Sequence, residues 1–138
     1  MRTDELALDY LGRAEMTLKE ARHAMKNEVY SLAIRRAQET VELSLKAALR
    51  YIAIVSDILL KVKETRPLPK WFKEGIEFMA SVSSDLARKR GPAFYGDERT
   101  STPASQLFTK EEGLKALENA EEVYILCKRL IKKKITKK

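Results

Sequence analysis

Two apolar stripes constrain this chain more than any other feature. Leu11, Ala14, Leu18, Ala21 and Met25 repeat at spacings of three and four residues, as do Ala33, Ala37, Val41, Leu45, Ala48 and Ile52. That periodicity lines each set along one face of an α-helix, a face that has to be covered by a neighbour. The first helix is expected to end near Asn27 and the second to run from about Tyr30 to about Ile54. A junction of two or three residues makes them antiparallel partners. Leu43, Ala47 and Tyr51 broaden the apolar surface of the second helix, which marks it as the central element. Only four prolines and five glycines interrupt the 138 residues, and Glu, Lys, Arg, Leu and Ala dominate. Such a composition favours helix throughout.

The remaining segments read as further helices and their breaks. Thr3-Asp4-Glu5 has the acids of a helix start. Ser56-Asp57 is expected to cap a short helix from Ile58 to Glu64, and Pro67 and Pro69 to stop any helix there. Another helix is expected from Lys70 or Trp71 to about Lys89, with Phe72, Ile76, Met79, Val82 and Leu86 as its stripe and Gly91-Pro92 as its end. Residues 96–108 are rich in Ser, Thr, Gly and Pro and read as a loop. Thr109 and Glu112 have capping-box spacing, in which hydroxyl and carboxylate satisfy each other's backbone donors. The last helix carries Leu117, Ala120, Tyr124, Cys127 and Ile131. The expected fold is all-α: an antiparallel up-and-down bundle of four main helices with a short fifth. Its length suits one domain, residues 1–127, followed by a lysine-rich helix end at 128–138.

Charge is unevenly placed. The net charge is +7, and residues 128–138 alone carry seven cations and no acid, so the rest sums to zero. The basic balance therefore belongs to the tail rather than to a broad face. A tail of this kind reads as a solvated helix end suited to the negative pole of the helix dipole, or as a contact for RNA or an acidic partner. Cys127, the single cysteine, excludes an intramolecular disulfide. The apolar run from Leu49 to Leu60 is broken by Arg50 and Asp57 and is too short to span a bilayer. With no segment that reads as a secretory leader, the expected location is the cytoplasm. Few Asn and Gln, high charge and one Cys form the composition expected of a thermophile.

Several chemistries find no support. One His and one Cys, far apart, make no zinc set, and no cofactor motif stands out. Glu39 and Glu42, and the acids Glu118, Glu121 and Glu122, read as solvated faces rather than as metal ligands. No glycine-rich phosphate loop is present. His23 lies within the first helix between Arg22 and Ala24 with no activating partner nearby, so a hydrolytic triad is excluded. Arg35-Arg36, followed by Gln38, Glu39 and Glu42, is more informative, because a central apolar helix cannot bury charge without partners. These residues face a groove, engage acids opposing a cationic cluster, or form ion pairs along the helix.

That cluster lies in Arg88-Lys-Arg-Gly-Pro-Ala-Phe-Tyr-Gly-Asp-Glu98, where three cations, a Gly-Pro, two aromatics and two acids meet at an expected helix end. A charged, aromatic junction on a rigid scaffold is a natural place for function. Taken with Tyr30-Ser-Leu-Ala-Ile-Arg-Arg-Ala-Gln-Glu-Thr-Val-Glu-Leu-Ser-Leu-Lys46, in which Gln38 and the Glu42-to-Lys46 pair lie on an Ala-rich face, it resembles the HEPN domain family, in particular its small archaeal stand-alone members. The resemblance covers nearly the whole chain. It implies a helical bundle and a homodimer in which the loops after the late helix of each subunit share a cleft. Many members are metal-independent ribonucleases whose motif is an Arg, then four to six residues, then a His. An arginine stabilises charge developing on phosphate and a histidine moves the proton.

Here that histidine is missing. Five residues after Arg88 stands Ala93, and five after Arg90 stands Tyr95. Tyr95 does match a second pattern of the family, a tyrosine to which a partner nucleotidyltransferase attaches nucleotides in toxin–antitoxin systems. The resemblance thus implies a homodimeric binding module for a nucleotide, RNA or a nucleotidyltransferase partner. Its candidate ligand-binding residues are Arg88, Lys89, Arg90, Tyr95, Asp97, Arg36 and Glu42, and Tyr95 is also the candidate modification site. The alternative is a toxin-like endoribonuclease using Arg88 or Arg90 with Tyr95 in place of the histidine. The third reading is purely structural, a small helical dimer whose loop charges are satisfied internally. Independently of these, the alternative to modification of Tyr95 is that Phe94 and Tyr95 pack the loop against the bundle, with the Tyr95 hydroxyl bonded to Asp97 or an arginine.

Overall fold

The computed structural model describes residues 2–61 and 68–136, and the surroundings of side chains 5–53 and 68–132. Its helices are α1 (Arg2–Lys26), α2 (Tyr30–Lys61), α3 (Lys70–Glu74), α4 (Ile76–Tyr95), α5 (Ala104–Leu107) and α6 (Lys110–Thr136). No strand occurs among the described residues; Asp97 and Thr102 form one isolated bridge. Four long helices and two short ones match the all-α bundle expected from the stripes.

Cross-helix contacts fix the directions. Thr17 meets Thr40 and Glu20 meets Arg36, so α1 and α2 are antiparallel. Arg35 meets Phe94, while Leu49 and Ser83 line one cleft, so α2 and α4 are antiparallel. Arg22 of α1 bonds Glu121 of α6, and Gly113 lies beside Met25. The four long helices therefore run up, down, up and down. α2 touches α1, α4 and α6, as its broad apolar surface requires. Its buried residues include Ala33, Ile34, Ala37, Thr40, Val41, Ser44, Ala47, Ala48 and Tyr51. α4 packs chiefly on α2, with lesser contacts to α3, α5 and α6.

The α1–α2 turn closes without glycine. The Val29 N–H donates to the Ala24 carbonyl at 2.9 Å and the Glu28 N–H to that of Met25 at 3.0 Å. This is a Schellman pairing, and it puts Glu28 in the left-handed region at φ 63°. The capping box is present as expected: the Glu112 N–H donates to Thr109 Oγ1 at 3.1 Å and the Thr109 N–H to Glu112 Oε1 at 2.9 Å.

Four boundaries differ from the sequence reading. α2 does not stop near Ile54 but continues to Lys61, so Ser56-Asp57 lies inside a helix rather than at the start of one. The rest of the expected short helix, residues 62–64, and Pro67 lie outside the described residues. The helix expected from Lys70 or Trp71 is broken at Gly75, whose N–H donates to the Phe72 carbonyl at 3.0 Å. That break interrupts the stripe, and Ile76 is 43% exposed rather than buried. Gly91-Pro92 does not end α4, which runs on to Tyr95. Proline lacks an N–H and removes the bond to the carbonyl four residues back, yet the helix continues beyond it, and the Gly96 N–H donates to the Pro92 carbonyl at 2.9 Å. The true stop is Gly96, at φ 79° and ψ −163°. The segment read as a loop to residue 108 also contains α5.

Gly96 is required twice over. Its backbone lies in a region that side chains avoid, and a Cβ there would sit 2.4 Å from the Thr102 carbonyl oxygen. Gly96→Ala is expected to lower stability by about 2 kcal/mol, read as a shifted urea midpoint. An unchanged midpoint would contradict this geometry.

Candidate functional site

Met79, Val82, Leu86 and Ala93 are the buried residues of α4 and define the face turned to α2. Arg90 follows Leu86 by four residues and so shares that face. It reaches two adjoining clefts. One, of about 460 Å³ between α2 and α4, is lined by Gln38, Glu42, Lys46, Leu49 and Ser83 as well as Arg90. The other, of about 420 Å³, opens toward α1, with Arg13, Thr17 and Glu39 joining Glu42, Lys46 and Arg90. Glu42 and Lys46 thus stand at the ridge between the clefts, and Arg90 comes to them from α4. No ion-pair partner of Arg90 occurs among the described residues. Glu42 accepts a long bond from Gln38 Nε2 at 3.4 Å.

The other cations of the run point elsewhere, since consecutive helical residues fan around the axis. Arg88 bonds Asp85 at 3.0 Å, and Lys89 bonds the other oxygen of the same carboxylate at 3.0 Å. Two cations thus share one acid. Arg36 is held between Glu20 at 2.8 Å and Glu39 at 3.2 Å, as a tie between α1 and α2. It lines neither of these two clefts.

Tyr95 and Asp97 belong to a third cleft, of about 560 Å³, lined also by Gly91, Pro92, Glu98, Arg99 and Phe108. Tyr95 is 75% exposed, so the expectation that it packs on the bundle fails. Its ring lies 4.9 Å from that of Phe94. Asp97 is engaged within its own turn: it accepts the Arg99 N–H at 3.0 Å, and its backbone pairs with Thr102. The seven candidate residues are therefore divided between Arg90 with Glu42, Arg88 with Lys89, Tyr95 with Asp97, and Arg36 alone.

Arg35 and Lys46 were absent from that set. The Arg35 guanidinium carbon lies 3.8 Å from the centre of the Phe94 ring, and its Nε is buried with no hydrogen-bond partner. The Gln38 Oε1, one turn further along α2, is also buried and unbonded. The signal for Arg90 was present in the stripe, since it lies four residues after Leu86, and that for Lys46 in its pairing with Glu42 one turn earlier on α2. Arg35 gave no such signal, because its partner depends on the register between two helices.

Among the described residues no group of three or more His, Cys, Asp or Glu side chains could hold a metal ion. No helix among them is long and apolar enough to cross a membrane. Comparisons with curated proteins and with solved structures returned no match. The profile of the HEPN domain matches residues 7–130, from the first buried turn of α1 to the last core positions of α6. The arrangement of α2 and α4 and this match over nearly the whole chain lead to one conclusion: the protein belongs to the HEPN domain family.

Proposed function

We propose that the protein is a binding module, assembled as a homodimer, that holds a nucleotide or RNA or docks a nucleotidyltransferase partner, and that does no chemistry of its own. The observation that carries this reading is that Arg90, without an ion-pair partner among the described residues, lines the same two clefts as Lys46. Two cations facing one acid, Glu42, leave a surplus of positive charge for a phosphate. Charge-assisted bonds to phosphate are the strong kind, and an arginine without a carboxylate partner makes them at no cost in broken ion pairs. Binding is favoured over cleavage because Arg90 and Tyr95 line different clefts and no histidine follows either arginine. Tyr95, exposed at the helix end, is available for the modification that the family resemblance suggests.

The test is fluorescence anisotropy with a labelled single-stranded RNA, native protein beside Lys46→Ala, Arg90→Ala. The double variant is expected to bind about tenfold more weakly. Its salt dependence should flatten by about 0.7 in log–log slope for each phosphate that the variant no longer neutralises. The RNA should remain intact without metal. Cutting that disappears in an Arg88→Ala, Arg90→Ala variant would replace this reading with the endoribonuclease, and absence of binding would remove it.

A further inference from the structure

We infer that Phe94 and Tyr95, with Arg35 behind them, form a stacking subsite for an unpaired nucleobase; the inference rests on the reading just given. Phe94 is 47% exposed and Tyr95 75%, so neither ring is spent on the core. They are adjacent in sequence, tilted by 35° and 4.9 Å apart. The Arg35 guanidinium covers one side of Phe94 at 3.8 Å. That cation has no acid partner among the described residues, and its buried Nε is unbonded. It is therefore held by the ring, and it fixes the ring in turn. An aromatic surface held in advance of binding loses little freedom when a base stacks on it.

The adjoining cleft suits a base better than a phosphate. Arg99 there faces Asp97 and Glu98, so the cleft carries no positive surplus. Its walls include Pro92 and Phe108 beside Tyr95, and its volume of about 560 Å³ falls within the ordinary range of small-ligand clefts. Phosphates have a separate place, because Arg90 lines the cationic clefts while its chain neighbour Gly91 lines this one. The two kinds of surface adjoin across one turn of α4. A strand with its backbone at Arg90 and Lys46 brings a base to Tyr95. Stacking of this kind accepts any base, since each has a π-face.

Two RNA-type oligomers of equal length and charge, one of adenosines and one abasic, separate the two ideas. The native protein is expected to bind the adenosine oligomer about tenfold more tightly. Tyr95→Ala and Phe94→Ala should each lose most of that preference, and Phe94→Trp should keep it. Arg90→Ala should weaken both oligomers by the same factor and leave their ratio unchanged. Equal native affinity for the two oligomers would overturn the subsite and leave the aromatic pair as a surface for a protein partner. A preference that survives Phe94→Ala, Tyr95→Ala together would also overturn it. No binding of either oligomer would remove the proposed function, and the subsite with it.

Discussion

Alkylation of Cys127 is expected to run about a thousandfold slower in the folded protein than in the unfolded chain at pH 8. The thiol is completely buried on α6, and burial pushes its pKa from 9.0 up to about 12. The thiolate is the nucleophile, so three pH units between the two states correspond to three decades of reactive fraction. Iodoacetamide labelling read by mass, with and without denaturant, measures the ratio. Comparable rates would show that the thiol is open to solvent. The same shift has a sign for stability. Because the folded thiol holds its proton more tightly, its contribution is fully present below pH 9.0 and is lost between there and about 12. At pH 10 the loss is about 1 kcal/mol, and Cys127→Ala should abolish that part of the pH dependence.

Leu86→Ala should cost about 3 kcal/mol and lower the melting temperature by about 10 °C. Leu86 is 2% exposed at the centre of the buried face of α4. Removing three carbons from a site closed by α2 leaves a cavity that two rigid helices cannot collapse around. Arg90 stands one turn further along the same face, so looser seating should also weaken RNA binding in the anisotropy assay. A midpoint within about 0.5 kcal/mol of native would mean that α4 is not anchored where the structure places it.

The long helices were legible because each repeats its apolar residues over several turns. Their ends were harder to read. Ser56-Asp57 has the chemistry of a cap, yet α2 continues through it to Lys61, since a cap contributes only about 1 kcal/mol. Gly91-Pro92 has the chemistry of a stop, yet the helix runs through it, and Ala93, 2% exposed, keeps the next turn packed. The left-handed glycine that ends α4 lies five residues beyond Gly91, at Gly96. The difference moves the site. With the helix stopped at about Lys89, Arg90 falls beyond its end; with it continued to Tyr95, the three cations fan out around the axis and only Arg90 lines a cleft with Glu42 and Lys46. The cationic character of this stretch was legible in the sequence. The pairing of Arg35 with Phe94 was not, because no local pattern encodes which turn of α2 lies against which turn of α4.

α4 rests mainly on a single helix, whereas α1, α2 and α6 each touch both others. Such an arrangement divides the molecule into a three-helix unit and an outer layer whose detachment exposes much less apolar surface than global unfolding. The residues proposed to hold a ligand are shared across that seam: Arg35, Glu42 and Lys46 on the unit, Arg90, Phe94 and Tyr95 on the layer. Anything that bridges them spends part of its interaction holding the layer shut. On the proposed reading, occupancy of the clefts and local order of the fourth helix are thermodynamically linked, each raised by the other.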